Sequence, residues 1–122
     1  MVLKKLAFQG CAVINSAVFN AGFLLGGSFF DYRKVDPATD PHLFEWRDKF
    51  NALCAEFGCK PAEVCVQFSF LFPEIIAVAL STSKPSRVAS NVALANAKVP
   101  TEFWRKAVAN GLINVGPPAV RL

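Results

Sequence analysis

The stretch that decides the fold is IIAVALSTSKPSRVASN, residues Ile75 to Asn91. It begins with an apolar run over residues 75–80, which is typical of a strand in a parallel sheet. A short polar turn follows, and the pattern predicts a helix from about Pro85 to Ala95. The start of a helix offers free backbone N–H groups, so this arrangement suits an anion such as the phosphate of a nucleotide.

Arg87 and Asn91 are the two side chains of this stretch that could bind such a ligand. They are four residues apart and therefore share one face of the predicted helix. On the pattern alone, such a pair lies more often on a solvated helix surface than in a ligand-binding site. The sequence thus leaves both interpretations open.

Working outward, the chain alternates between apolar strands and amphipathic helices. Residues 11–15 (CAVIN) predict a strand buried on both faces, and no regular period is visible over residues 16–40. One helix is predicted from Pro41 to Gly58 and another from Pro61 to Pro73. Two parallel strands, about 11–15 and 75–80, with flanking helices indicate an α/β fold.

The predicted strands are too few for a complete sheet. Two parallel strands alone would leave two open edges, so we expect the fold to require strands from elsewhere. The predicted organisation is a partial domain over residues 1–113 and a Pro/Gly-rich tail over residues 114–122.

Composition excludes several classes of protein. Hydrophobic residues make up 53% of the chain, yet no apolar run is long enough for a membrane helix. The net charge is +4, with the basic residues scattered rather than clustered, which argues against nucleic-acid binding. We expect a cytoplasmic protein without a metal site, whose cysteines are buried as small apolar residues. The cysteines and the single histidine are Cys11, Cys54, Cys59, Cys65 and His42.

Two motifs occur in this chain in the same order as in a known protein family, and they carry the resemblance to it. VINSAVFNAGFLLGG (residues 13–27) and LSTSKPSRVASNVALA (residues 80–95) resemble the strand-seven and strand-eight segments of aldo-keto reductases. The similarity covers residues 3–113 and implies the C-terminal part of a (β/α)₈ TIM barrel. Within the family, FFDYRKV (residues 29–35) is most similar to the sugar branch of galactose, fucose and threo-aldose dehydrogenases.

The resemblance implies NADP or NAD as the cofactor, and it assigns the loop after the first strand. Ser16 stands where many members have an aromatic ring that stacks on the nicotinamide, a contact that serine cannot make. Ala17 and Phe19 stand where backbone amides meet the pyrophosphate, and Val18 replaces a usual proline.

The resemblance also assigns the turn and helix after the second strand. Ser81 and Thr82 match positions that meet the adenosine ribose or its 2′-phosphate. Arg87 and Asn91 match the arginine and asparagine that hold the 2′-phosphate and the adenine, while Ser90 replaces an acidic or amide neighbour. Because Ser81 stands where a lysine is common, the sequence leaves NAD and NADP as alternatives.

The family's catalytic Asp, Tyr, Lys and His come from earlier strands and have no counterpart here. We assign no catalytic role to Tyr32 or His42. The sequence therefore predicts the cofactor-binding C-terminal part of an NAD(P)-dependent oxidoreductase for an aldehyde, ketone or aldose, not catalytic by itself. Its partner would be the missing N-terminal barrel portion. The alternatives are a non-catalytic α/β module that associates with itself or with a partner, and a truncated gene product.

Overall fold

The computed structural model of the chain describes residues 2–114, so the predicted tail lies outside the described residues except for its first residue. Within this part, no helix is long and apolar enough to cross a membrane. The strands are β1 (Val13–Asn15), β2 (Phe29–Phe30), β3 (Arg33–Lys34) and β4 (Ile75–Val78). The helices are α1 (Val2–Phe8), α2 (Pro41–Glu56), α3 (Pro61–Phe70), α4 (Val88–Asn96) and α5 (Thr101–Ala109). Two short 3₁₀ turns lie at Phe23–Leu25 and Pro85–Arg87.

The predicted parallel pair is confirmed, but its strands are shorter than expected. β1 and β4 pair in parallel, with Val13 opposite Ile75 and Asn15 opposite Val78. The prediction that the first strand is buried on both faces is wrong. Ile14 is 62% exposed and Ile76 on the neighbouring strand is 64% exposed. The reason is that helix α3 packs on one face of this sheet, while nothing among residues 2–114 covers the other.

Helices α2, α3 and α5 enclose the core. Phe103 and Trp104 of α5 are buried, and their rings meet edge to face with centroids 5.1 Å apart. Trp46 of α2 stacks on Phe50 and donates its indole N–H to the carbonyl oxygen of Leu112 at 3.1 Å. This hydrogen bond joins α2 to the segment that follows α5.

The helix boundaries follow the proline and glycine signals of the sequence. α2 and α3 begin at Pro41 and Pro61 as predicted, and Gly58 follows α2 with a φ of 65°, in the left-handed region that favours glycine. Asp40 is the N-cap residue of α2, but its side chain makes no cap hydrogen bond. Its carboxylate instead accepts a hydrogen bond from Arg33, as described below.

Two sequence predictions need correction here. The segment 16–40 is not without regular structure, because β2 and β3 form an antiparallel hairpin in which Phe30 pairs with Arg33. The cysteines are not uniformly buried: Cys54 and Cys65 are, but Cys11 is exposed on the turn between α1 and β1. Cys11 is exposed because β1 starts at Val13, so that residue precedes the sheet rather than joining it.

Candidate functional site

A cleft opens where β1 and β4 end. Its volume is about 510 Å³, and it is lined by residues 17–22, by residues 79–81 and by the pair Asp31–Tyr32. The two strands are parallel, so their carboxyl ends meet at one edge of the sheet and bring the two loops together. In parallel α/β proteins this edge is where ligands usually bind.

The cleft brings together only some of the predicted site residues. Ala17 and Phe19 from the first loop meet Ser81 from the second loop in its lining. The remaining predicted residues do not line the cleft, and they are Ser16, Thr82, Arg87 and Asn91. The cleft therefore corresponds to the predicted pyrophosphate loop together with the start of the predicted adenosine turn.

The floor of the cleft offers unpaired backbone donors. Within residues 2–114, the N–H groups of Ala17, Val18 and Phe19 have no hydrogen-bond partner. Consecutive free N–H groups in a turn form a concave surface that suits an anion. The arrangement can thus bind a phosphate through the backbone, without a lysine or arginine in the lining.

A buried hydrogen bond fixes the direction in which the chain leaves β1. The Asn15 side-chain amide donates to Ser69 Oγ of α3 at 2.8 Å, and Ser69 is only 1% exposed. Asn15 Oδ1 also accepts the N–H of Ser16 at 3.1 Å. The sequence analysis missed this pair, although a polar residue at the end of an apolar strand was the available signal.

The cleft is where the strained backbone of the described chain is found. Its non-glycine residues with positive φ are Ala17 (56°), Asn20 (50°), Ala21 (58°), Asp31 (48°) and Tyr32 (65°). Each of them lines the cleft. Such conformations cost about 1–3 kcal/mol each for residues other than glycine, and less for asparagine and aspartate. Strain of this kind is commonly retained where a binding surface requires it.

Arg47 of α2 anchors the loop that forms one wall. Its guanidinium lies over the rings of Phe23 and Phe44, 4.5 and 4.7 Å from their centroids. It donates hydrogen bonds to the carbonyl oxygens of Phe23 at 3.2 Å and Gly27 at 2.9 Å. One side chain thereby ties the first residue of the 3₁₀ turn, and the glycine two residues beyond its end, to the helix. No sequence motif marks this role.

The hairpin β2–β3 is held on two sides. Arg33 forms an ion pair with Asp40 at 2.6 Å, and this bond, followed by the N–H of Asp36, lowers the pKa of the Asp40 carboxyl. The same carboxylate raises the pKa of Arg33. On the other strand the ring of Phe30 meets Phe23 edge to face at 5.5 Å. The hairpin tip is therefore fixed at the mouth of the cleft.

The segment after β4 differs from its prediction. Residues 85–87 form a 3₁₀ turn, and α4 begins at Val88 rather than at Pro85. The turn engages the N–H groups of Arg87 and Val88, so the helix start has fewer free donors than expected. Just before the turn, Thr82 Oγ1 accepts the N–H of Lys84 at 3.1 Å. Arg87 is exposed and Asn91 is half-buried.

Other chemistry near the cleft is sparse. Residues 2–114 contain no group of three or more His, Cys, Asp or Glu side chains that could hold a metal ion. His42 is exposed beside Glu45 on α2, away from the cleft lining. Tyr32, to which the sequence analysis assigned no role, lies in the lining next to Asp31.

Comparison with known proteins agrees with this architecture. The model of the Aldo/keto reductase family matches residues 1–109. The chain belongs to the aldo/keto reductase family. As an aldo/keto reductase sequence it is 26% identical over 110 residues to pyridoxal 4-dehydrogenase of Microbacterium luteolum. The match covers 87% of this chain but only 31% of that relative, so the chain spans about a third of the relative's length. No solved structure matches this aldo/keto reductase chain.

Proposed function

We propose that this chain supplies the nicotinamide-dinucleotide-binding part of a cytoplasmic NAD(P)-dependent oxidoreductase that acts on an aldehyde, ketone or aldose. The observation that carries the proposal is the cleft at the carboxyl ends of β1 and β4, with its three unpaired N–H groups at residues 17–19. These donors fit a pyrophosphate. The Asp31 carboxylate in the lining fits a ribose hydroxyl better than a phosphate, because it can only accept hydrogen bonds when ionised.

The adenosine end of the cofactor would extend beyond the cleft along residues 81–91. Ser81 lies in the lining, and we propose that it and Thr82 meet the ribose. Arg87 and Asn91 would then meet the 2′-phosphate and the adenine. The guanidinium of Arg87 is exposed and forms no ion pair with another residue of the described chain, so it is available to a phosphate. This favours NADP over NAD.

The chemistry of hydride transfer would be completed outside this chain. A bound dinucleotide supplies or accepts the hydride, and the residues of this chain bind and orient it. We propose that the acid/base group and most of the substrate pocket come from further strands of a (β/α)₈ barrel, which would also cover the exposed faces of β1 and β4. The motifs of residues 13–35 favour a sugar-type branch.

Titration calorimetry with NADPH and NADH tests the proposal. It is run on the chain alone and on the chain mixed with the N-terminal part of an aldo/keto reductase. We expect binding of NADPH that Arg87→Ala weakens by roughly tenfold or more, with a smaller effect on NADH, because a charge-assisted phosphate contact is lost. Lys98→Ala is the matched control, since Lys98 is an exposed cation that lies after α4 and outside residues 81–91. If neither nucleotide binds in either of the two samples, the proposed function is refuted.

A second function is favoured by one observation. Ile14 and Ile76 are both exposed on neighbouring strands of a two-stranded sheet, which leaves an apolar face open. Such a face favours association with a second copy or a partner. Under this alternative, light scattering reports a stable oligomer that Ile14→Thr with Ile76→Thr dissociates, and nucleotides do not bind. A monomer that binds NADPH excludes it.

A further inference from the structure

An apolar cavity lies in the helical core, next to the loop that forms the cleft. Its volume is about 170 Å³, and its lining comes from helices α2, α3 and α5, from the loop after β1 and from the segment after α5. Every residue of the lining is buried or half-buried. The cavity therefore belongs to the core rather than to an exposed surface, and native cores leave few voids of this size.

The lining of this cavity offers no side-chain partner to a polar ligand. Within the described chain, none of the lining side chains carries a charge, a hydroxyl or an amide. The indole N–H of Trp46 is already donated to the carbonyl oxygen of Leu112 at 3.1 Å. Burial raises the pKa of the Cys65 thiol to about 12, so this group stays uncharged at neutral pH. A buried water needs about two to four polar partners, whereas an apolar cavity of about 150 Å³ stays dry and can take up benzene.

Aromatic rings make up a large part of the lining. Trp46 stacks on Phe50 with ring centroids 5.3 Å apart. Trp104 meets Phe103 edge to face at 5.1 Å and Phe68 in a tilted arrangement at 6.1 Å. All five of these residues line the cavity. Such surroundings favour a further aromatic ring, because offset and edge-to-face pairs contribute stabilisation beyond the apolar area that they bury.

We propose that this cavity binds one small uncharged molecule built on a single aromatic ring. The volume limits the ligand to about one ring, the lining excludes charged groups, and the surrounding rings select an aromatic ligand over an aliphatic one. The site goes beyond the proposed function and is separate from the dinucleotide cleft, but the two share Val18. The N–H of Val18 is one of the three unpaired donors of the cleft. A ligand in the cavity therefore contacts the loop that forms the floor of the cleft.

Both tryptophans of the chain line the cavity, which allows a selective test on the full chain. Incorporation of 5-fluorotryptophan gives two ¹⁹F NMR signals, one from Trp46 and one from Trp104. We expect both signals to shift saturably on addition of benzene, and the amide signal of Val18 to shift with the same Kd. Phenol should bind roughly tenfold more weakly, because its hydroxyl finds no side-chain partner. Cyclohexane should also bind more weakly, by roughly three- to tenfold, because it has no aromatic face or edge.

A variant that fills the cavity gives an independent test. Ala107 of α5 is 3% exposed and has the smallest side chain of the lining. Ala107→Leu should abolish the shifts with benzene and keep the urea midpoint at or above that of the wild type, because the added carbons enter empty space rather than a packed core. Ala109→Leu makes the same chemical change at an exposed position of the same helix, outside the lining. This matched control should bind benzene normally.

Several outcomes would overturn the proposal. Fluorine signals that stay unchanged up to the solubility limit of benzene would refute the site, and so would binding that persists in Ala107→Leu. Equal affinities for benzene and cyclohexane would refute the selection of an aromatic ring. Nuclear Overhauser contacts between either tryptophan and residues 115–122 in the free protein would mean that the chain itself fills the cavity, which also refutes the site.

The wild-type titration keeps the test decisive if Ala107→Leu loses its structure, because it needs no substitution at that position. No nucleotide takes part in this experiment. A failure of NADPH to bind therefore leaves the result for the cavity unaffected, and the two proposals can fail separately.

Discussion

Arg47→Ala should loosen the loop that forms one wall of the cleft. The substitution removes two ring contacts, to Phe23 and Phe44, and two hydrogen bonds, to the carbonyl oxygens of Phe23 and Gly27. A cation over an aromatic ring is worth about 0.5–2 kcal/mol, and a hydrogen bond from a charged donor about 1.5–3 kcal/mol. These contributions are not additive because all four share one side chain, so we expect a loss of about 2–3 kcal/mol.

Native-state hydrogen exchange is the assay for this local loss. The amides of Gly26 and Gly27 are hydrogen-bonded to the carbonyl oxygens of Phe23 and Gly22, at 3.1 and 2.9 Å. Their exchange should accelerate by roughly 30- to 150-fold in Arg47→Ala, as the free-energy loss requires.

Two control variants sharpen the prediction. Arg47→Lys keeps the charge but not the planar fork that reaches two carbonyl oxygens, so its effect should be intermediate. Lys49→Ala removes an exposed cation from the same helix and should leave the loop unchanged. Unaltered exchange of Gly26 and Gly27 in Arg47→Ala, or an equal acceleration in Lys49→Ala, would refute the anchoring role.

Three further predictions concern the cleft wall, the core and the thiols. Gly27→Ala should destabilise the chain by about 1–3 kcal/mol in urea denaturation, because the added Cβ would lie 2.8 Å from the carbonyl oxygen of Gly22; a wild-type midpoint would contradict this. Phe103→Ala should cost about 3–5 kcal/mol by the same assay, since that ring is 1% exposed, and a loss below 1 kcal/mol would mean that the site collapses around the gap. Burial raises the pKa of Cys54 to about 11 and of Cys65 to about 12, from 9.0. Because both native pKa values lie above the unfolded one, stability is complete below pH 9 and falls as the pH rises from 9 toward 12, by about 1 kcal/mol per thiol at pH 10. A Cys65→Ala variant should show a weaker pH dependence, and an equal slope would contradict the assignment.

The helices were predictable because their boundary signals are local. Pro41 and Pro61 fix the first turns of α2 and α3, and Gly58 permits the left-handed residue after α2. The parallel strands were also predictable, since their apolar runs are separated by helices. Their ends were not, because Cys11 and Leu80 extend the apolar pattern beyond the residues that actually pair.

The hairpin could not be predicted from turn chemistry. Its loop is Asp31–Tyr32, without the glycine or asparagine that usually marks such a turn, and each strand has only two residues. What stabilises it is tertiary: the pair Arg33–Asp40 and the packing of Phe30 on Phe23. These contacts join residues whose spacing in sequence carries no periodic signal.

The sequence predicted which loops form the candidate site, but it did not predict how these loops are shaped. Ala17, Phe19 and Ser81 came from the resemblance to the family, and the structure brings them to one cleft. The free N–H groups of residues 17–19 depend on backbone conformation, which residue types alone do not fix. The role of Arg47 depends on a fold in which α2 passes beneath the loop after β1.

Binding of NADPH is the measurement that tests the central claim most directly. Calorimetric titration is performed with the chain in the presence and absence of the N-terminal part of an aldo/keto reductase. The account predicts saturable binding with one site per chain, weakened by Arg87→Ala and left intact by Lys98→Ala. Absence of binding in both samples, or equal weakening by the two substitutions, would contradict the claim that this cleft and the adjoining turn hold the dinucleotide.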